Sequence, residues 1–306
     1  MEKFLKHIAC FFIPPILLYI PFAIFALPAL LKITNGPSTK EKILYSFEHA
    51  LKREYDLLIL GNSRIYRGIN PDKLGIAAYN FSHDHDTYNQ LYYKLDYLLK
   101  NGKRFHYLIL GVDYFQFNFF ADTRNYIYGR ILADEYLADY PSSITYYEFQ
   151  YYLDLLNPTK LSHLKGVFNK NKPFVKENGQ FVLAGKARKS DYAERSIQKR
   201  DIQIQYFERI LEDCKENNIK VFLTMLPIRK NELNAYPEGE MKDFDSFLSA
   251  YLNESVVLVN FTHDQSYSWE DYTDLTHFNQ AAADRFSAQL NDTIMSLIKT
   301  LGTQRK

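Results

Sequence analysis

The chain has little cysteine, and neither sign of charge predominates. Only Cys10 and Cys214 occur among 306 residues, and Cys10 lies in an apolar run, so we expect no disulfide framework. The 37 basic side chains nearly balance the 36 acidic ones, and no basic stripe is evident. A nucleic-acid partner is therefore not expected. Repeats and low-complexity tracts are also missing, which excludes a repeat architecture.

The overall composition is that of a folded protein. Hydrophobic residues make up 46% and charged residues 24% of the chain, so disorder is excluded for most of it. The length is enough for one large domain with its own core.

The first 32 residues differ from the rest. Residues 8–31 carry no charge over 24 positions, which is enough to cross a bilayer. They lack a small-residue cleavage site of the kind that ends a signal peptide. We therefore predict a single-pass, uncleaved membrane anchor over residues 1–32 and a domain over residues 33–306. Lysines flank both ends of the apolar run, so charge does not decide its orientation.

Short apolar runs alternate with helical patterns over the rest of the chain. The runs start at Asp56, Ala77, Tyr107, Lys220 and Val256, and helical patterns cover roughly residues 86–100, 200–217, 239–252 and 279–300. Strands without strict polar alternation, separated by helices, are typical of a parallel sheet covered on both faces. The sequence therefore predicts an α/β fold, a three-layer doubly wound sheet of about five parallel strands.

A long tyrosine-rich stretch interrupts this alternation. Residues 114–199 contain no obvious core strand, and we interpret them as an insertion after the third strand, of the kind that often serves as a lid or binding segment. Within the insertion, Asn178-Gly179 predicts a small hairpin.

Two motifs fall where the strands of such a sheet present ligands, at their carboxyl ends. Ser63 follows the first strand, and Asp274 precedes His277 by three residues after the last strand. An aspartate at this spacing can orient an imidazole that takes a proton from a serine. Each motif also has a structural interpretation: Ser63 or Asp274 would cap a helix and His277 would pack beneath it.

The two motifs together resemble the SGNH (GDSL-like) hydrolase superfamily. The segments LGNSRIYRGINPDKLG, AYNFS and YLILGVDYFQF are similar to its membrane-anchored branch, which includes accessory proteins of alginate O-acetylation and lipoteichoic-acid D-alanylation. The resemblance covers roughly residues 1–113 and 218–300. It implies that Ser63 is a nucleophile, His277 its base and Asp274 the orienting acid, in a domain outside the cytoplasm.

The family also draws oxyanion donors from a glycine after strand two and an asparagine after strand three. This chain has no glycine after strand two, where Asn80 and His83 are the candidates, and it has Asp113 after strand three. A carboxylate at that place opposes a developing oxyanion.

Several other residues allow more than one interpretation. Arg64 and Arg67 either hold an anionic substrate or form a solvated helix face. The run His83-Asp84-His85-Asp86 resembles a zinc cluster in part, but with no further ligand group we expect no metal and assign Asp86 as a helix cap. The aromatic residues 114–120 suit a sugar groove, a membrane surface or a core.

The function predicted from these features is that of a serine esterase or O-acyltransferase acting on a cell-envelope or secreted glycan. Acyl transfer through a serine needs no cofactor, so none is expected. The expected partners are a glycan or other acyl acceptor, a multispanning membrane acyltransferase and the membrane itself. Two alternatives stay open: a lipase or thioesterase that passes the acyl group to water, and a non-catalytic binding or scaffold protein.

Overall fold

The computed structural model describes residues 1–122, 124–140, 144–168, 173–183, 185, 187 and 193–303. The chain divides into two compact units. The first holds residues 1–42 and 123–173, and the second holds residues 43–122 and 174–306.

Helices and strands alternate along the second unit, whereas the first unit is helical. The helices are α1 (Glu2–Pro21), α2 (Leu27–Asn35), α3 (Thr39–Lys52), α4 (Ser63–Gly68), α5 (Tyr88–Lys100), α6 (Asn125–Leu137), α7 (Ile144–Leu155), α8 (Asp201–Glu216), α9 (Lys230–Leu233), α10 (Glu238–Ser249) and α11 (Gln280–Thr303). The strands are β1 (Leu57–Leu60), β2 (Ala78–Asn80), β3 (Tyr107–Gly111), β4 (Phe174–Val175), β5 (Phe181–Val182), β6 (Lys220–Met225) and β7 (Val256–Asn260). A π-helical turn, Phe22–Ala26, joins α1 to α2, and short 3-10 helices span Pro71–Lys73, Pro158–Phe168 and Trp269–Asp271.

Five strands form the central sheet of the second unit. Their order is β2-β1-β3-β6-β7, and every neighbouring pair is parallel. The α/β class and the five-stranded parallel sheet predicted from the sequence are therefore confirmed. The strand order reverses between β1 and β3, and in sheets of this kind the crevice at such a reversal is the usual ligand site.

Both faces of the sheet are covered, because all four residues of β1 are buried. One face packs on α11, where the side chains in contact with the strands repeat at helical spacing. This core includes Leu57, Ile59, Ile109, Phe222, Ala282, Ala283, Phe286 and Leu290. Continuous apolar strands and an amphipathic final helix thus produce the arrangement that the sequence pattern predicts.

Two glycines let α4 approach the sheet closely. A Cβ on Gly61 would lie 2.4 Å from the Ile65 side chain, and one on Gly111 would lie 2.3 Å from it. Ile65 therefore fills the space between the ends of β1 and β3. This packing fixes the start of α4 at the strand-order reversal.

The small hairpin β4–β5 forms around Asn178-Gly179, as that dipeptide predicts. The strands are antiparallel, and Gly179 has φ +90°, a conformation that favours glycine. Asn178 O accepts a hydrogen bond from the Asn80 N–H at 2.9 Å. The hairpin therefore continues the hydrogen bonding of the edge strand β2.

In the first unit, α2 packs against the 3-10 segment Pro158–Phe168, and α6 packs against α7. One helical stretch among the described residues, Glu2–Asn35, is long and apolar enough to cross a membrane. Its prolines are accommodated within continuous helix, and the π-helical turn follows directly after Pro21.

Candidate active site

Ser63 is the first residue of α4, at the carboxyl end of β1. The N-cap of this helix is Asn62, whose side-chain oxygen accepts from the Arg64 N–H at 2.9 Å. Asn62, and not Ser63, therefore caps α4, so the structural interpretation of Ser63 as a helix cap does not apply. Within the described part of the chain, the Ser63 N–H has no hydrogen-bond acceptor, so it is available beside the hydroxyl.

His277 joins Ser63 to Asp274. Its Nε2 lies 2.7 Å from Ser63 Oγ, and its Nδ1 lies 2.8 and 2.9 Å from the two oxygens of Asp274. An ionised carboxylate only accepts hydrogen bonds, so Nδ1 carries the proton and Nε2 accepts from the serine hydroxyl. The three residues are thus hydrogen-bonded in the order that nucleophilic catalysis by serine needs.

The loop carrying Asp274 and His277 is held by its own backbone. Asp274 Oδ1 accepts from the N–H groups of Thr276 and His277 at 2.9 and 3.0 Å, and the Thr273 N–H donates to His277 O at 2.8 Å. Burial alone would raise the pKa of Asp274, but its hydrogen bonds and the charge of His277 outweigh burial and lower that pKa well below its ordinary value. Asp274 is therefore ionised throughout the physiological range.

Arg67 connects Asp274 to the loop after β2. Its guanidinium donates to Asp84 at 2.9 Å and lies 3.5 Å from Asp274 Oδ2. The Arg67 side chain is mostly buried and lies over the Phe181 ring, 5.4 Å from the ring centroid. A solvated helix face is therefore the wrong interpretation of Arg67.

Asp113 does not point a free carboxylate towards Ser63. Its Oδ1 accepts from the Phe115 N–H at 3.0 Å, and its Oδ2 accepts from Asn62 Nδ2 at 2.9 Å. The Asn62 amide also donates to Gln116. Burial raises the pKa of Asp113 more than the charge of Arg64 and the Asn62 hydrogen bond lower it. Asp113 therefore positions Asn62, the residue that caps α4.

Arg64 is buried, contrary to a solvated helix face. Its guanidinium pairs with the buried carboxylate of Glu232, which also lies 3.1 Å from Arg195. The Arg64 guanidinium lies over the Phe115 ring, 4.8 Å from its centroid. Burial would lower the pKa of Arg64, but Glu232 and Asp113 outweigh it and raise that pKa. The group is therefore a buried, permanently charged cation, one residue after Ser63 in the chain.

Asn80 and His83 are engaged in other structural contacts. The Asn80 amide donates to the carbonyls of Ile65 and Ile69 at 3.1 and 3.0 Å. His83 Nδ1 accepts from Lys94 Nζ at 2.6 Å, and its Nε2 lies 3.0 Å from Ser46 Oγ. Both side chains are buried. Neither they nor Asp113 supply an oxyanion donor in this arrangement.

The histidine–aspartate loop holds a buried charge. Asp86 pairs with the fully buried Lys94, so it does not cap α5, which begins instead after Thr87, whose N–H donates to Gln90. No group of three or more histidine, cysteine, aspartate or glutamate side chains converges as a metal site among the described residues.

The aromatic run after β3 is divided between core and surface. Tyr114 and Phe117 are fully buried, and Phe117 contacts Phe207, Phe244 and Phe247. Core packing therefore accounts for these two residues.

Sequence reasoning missed the two acids that hold the arginines of α4. Asp84 stands out in the sequence only as a member of the run His83-Asp84-His85-Asp86, and Glu232 carries no local signal, because it is 168 positions from Arg64. The only available indication was that α4 places two arginines beside Ser63 without acids in its own turns. Buried arginines need acceptors, and here they come from α9 and from the loop after β2.

Comparison with known proteins adds one observation. The model of an uncharacterised protein family matches residues 179–299, a stretch that includes Asp274 and His277 but not Ser63. No curated protein matches the chain significantly.

Proposed function

We propose that the protein is a membrane-anchored serine esterase or O-acyltransferase of the SGNH type. The observation that carries the proposal is the continuous hydrogen-bonded path from Ser63 Oγ through His277 to Asp274. The site lies next to the strand-order reversal of the sheet, where ligands of such folds bind. The motifs in the sequence that resemble the SGNH superfamily support the same assignment.

The reaction proceeds in two halves. Ser63 Oγ attacks the acyl carbonyl while its proton passes to His277 Nε2, and the Ser63 N–H donates to the developing oxyanion. Collapse breaks the acyl–oxygen bond of the donor, and the leaving alkoxide takes the proton from His277. A water or sugar hydroxyl then gives its proton to Nε2 and attacks the acyl-Ser63 ester. The bond between the acyl carbon and Ser63 Oγ breaks, and Oγ takes the proton from Nε2, which restores the free serine and the neutral histidine.

The acceptor class rests on the resemblance to glycan-modifying accessory proteins. A sugar hydroxyl of a cell-envelope or secreted glycan is the proposed acceptor, and a multispanning membrane acyltransferase is the proposed acyl source. The apolar helix Glu2–Asn35 supports a membrane location. The proposed orientation places the domain outside the cytoplasm, and a reporter fused after Lys306 tests it: cytoplasmic activity would contradict the orientation alone.

A non-catalytic scaffold is the second candidate, and one specific observation favours it. Asn80, His83 and Asp113 all make other contacts, so none of these three candidates joins the Ser63 N–H as an oxyanion donor. Losing one such donor from an acyl-transfer site costs about 3–4 kcal/mol. A weak or vestigial site would follow.

A fluorophosphonate probe separates the two candidates. It labels a serine only when a base activates the hydroxyl, and it does not require the natural substrate to be known. The full chain in detergent should be labelled, Ser63→Ala should not be, and His277→Ala should lose nearly all labelling, because the two residues act as a unit. Ser82→Ala is the matched control, a buried serine of the same unit. Equal background labelling of wild type and Ser63→Ala would establish the scaffold.

A further inference from the structure

Helix α7 is apolar on two opposite faces. Tyr147 and Leu155 are buried within the first unit, whereas Tyr146, Phe149 and Leu153 leave about half of their surface exposed. The exposed residues are spaced by three and four positions, so they form one stripe along the helix. A helix on the surface of a soluble protein normally carries polar residues there. This stripe, Tyr146–Phe149–Leu153, therefore marks a surface that meets an apolar environment.

The position of α7 along the apolar helix is fixed by contacts within the first unit. Helix α7 packs beside the π-helical turn Phe22–Ala26, and the Tyr19 hydroxyl donates a hydrogen bond to Leu156 O at 3.2 Å. The carboxyl end of α7 is thus level with the middle of the stretch Glu2–Asn35.

The thickness of a bilayer determines how deep in the membrane the carboxyl end of α7 lies. A hydrocarbon layer of about 30 Å needs about 20 helical residues. Lys3 and Lys6 keep their charges in water near the start of the helix by extending along it. Counting about 20 residues from Phe4 places the opposite boundary close to Ala23. The carboxyl end of α7 therefore lies at the boundary between headgroups and acyl chains.

The two acidic residues of α7 are compatible with a position at the membrane boundary. Glu148 pairs with Arg130, and Asp154 pairs with Lys160 at 2.6 Å, so both acids are compensated within the unit. On the apolar helix, Phe25 is 77% exposed at the same level, which continues the aromatic surface. Tyrosine and other aromatic side chains are enriched at this depth of membranes.

We propose that the stripe Tyr146–Phe149–Leu153 lies in the interface of the membrane that is crossed by the first part of Glu2–Asn35, from about Phe4 to Ala23, with its side chains inserted among the upper acyl chains. The occupant of this face is lipid, and typical insertion of such a helix is about 5–10 Å. The proposal rests on the membrane anchor of the proposed function and is independent of the catalytic triad. Helix α7 then acts as a second attachment that restrains the first unit against the bilayer.

Depth-dependent quenching of tryptophan tests this surface in the full chain. The one native tryptophan, Trp269, is replaced by phenylalanine, and single tryptophans are introduced by Phe149→Trp, Leu17→Trp and Leu252→Trp. Leu17 reports on the anchor, and Leu252 is a partly exposed control in the second unit. Each variant is reconstituted in phosphatidylcholine vesicles brominated either near the headgroup end or near the methyl end of the acyl chains.

We expect the Phe149→Trp indole to lose emission and shift to the blue, with stronger quenching by the shallow bromines. The Leu17→Trp indole should be quenched more by the deep bromines, and the Leu252→Trp indole by neither. Quenching at position 17 without quenching at position 149 would overturn the proposal, leave the anchor intact and assign the stripe to a protein partner. An unquenched position 17 would refute the anchor and this proposal together.

Discussion

Replacing Asp274 by asparagine isolates the electrostatic part of the proposed triad. In the wild type, Asp274 Oδ1 accepts from two backbone N–H groups, and Oδ2 lies 2.8 Å from His277 Nδ1. An asparagine keeps the first set of bonds with its carbonyl, so the loop retains its shape. Its NH₂ group takes the place of Oδ2, 2.8 Å from Nδ1, while Oδ1, 2.9 Å from Nδ1, is already shared by the two backbone N–H groups. This arrangement favours the tautomer in which Nδ1 is an acceptor. The imidazole proton moves to Nε2, which lies 2.7 Å from Ser63 Oγ and can no longer accept the serine proton.

The expected loss is large because the wrong tautomer removes the base. Comparable substitutions in serine triads cost about 10⁴-fold in rate, which corresponds to about 5.5 kcal/mol of transition-state stabilisation. We expect Asp274→Asn to slow fluorophosphonate labelling by this order while its circular dichroism spectrum stays that of the folded wild type. Asp274→Ala, which leaves the imidazole free to choose either tautomer, should be slowed less than Ser63→Ala or His277→Ala.

The assay is the second-order rate of labelling, measured for wild type, Asp274→Asn and Asp274→Ala with Ser63→Ala as the zero. Labelling of Asp274→Asn at the wild-type rate would show that the tautomer is irrelevant and refute the triad. Stability gives a check that does not depend on activity. Because folding lowers the pKa of Asp274, its ionisation stabilises the protein above the unfolded value of about 3.9, and this contribution is lost as the pH falls below it. The difference in stability between wild type and Asp274→Asn should therefore shrink in acid.

Two further substitutions test the buried groups around Ser63. Asp113→Asn should lower the melting temperature and should not accelerate labelling. Both Asp113 oxygens accept hydrogen bonds, so an amide places a donor against Asn62 or the Phe115 N–H, at a cost of about 1–3 kcal/mol. Faster labelling would mean that the carboxylate had opposed the oxyanion. Glu232→Ala leaves a buried arginine without its main acceptor, so we expect a loss of about 3–5 kcal/mol and a fall in melting temperature of about 6–20 °C. Glu238→Ala, which breaks an exposed pair, is its control, and an equal fall in both variants would contradict the role assigned to the buried pair.

The sequence by itself was sufficient for the α/β class and for the positions of the five sheet strands. Apolar runs such as Leu57–Leu60 have no polar alternation, and this pattern is typical of strands that are buried on both faces. The same local logic identified Ser63, Asp274 and His277, because each follows a strand end or precedes a helix and the chemistry of a triad specifies residue types. The apolar stretch at the start of the chain is likewise a property of composition, which requires no tertiary information.

Only the tertiary structure decided what the other polar residues near Ser63 do. The sequence placed Asn80, His83 and Asp113 at the correct edge of the sheet, but whether such a group faces a ligand or a neighbour depends on contacts that are remote in sequence. The Asn80 amide donates a hydrogen bond to a backbone carbonyl of α4. His83 accepts a hydrogen bond from Lys94, and Asp113 accepts one from Asn62. Hydrogen-bond partners across a fold have no periodicity that a single sequence displays.

The two arginines of α4 also show that a single sequence does not reveal which charged side chains are buried. An exposed and a buried arginine look alike in sequence, because the acid that makes burial tolerable can lie anywhere in the chain. Glu232 reaches Arg64 from α9, and Asp84 reaches Arg67 from the loop after β2. Residue types and spacing therefore determined the sheet and the candidate triad, while the packing of segments distant in sequence decided which charges surround it.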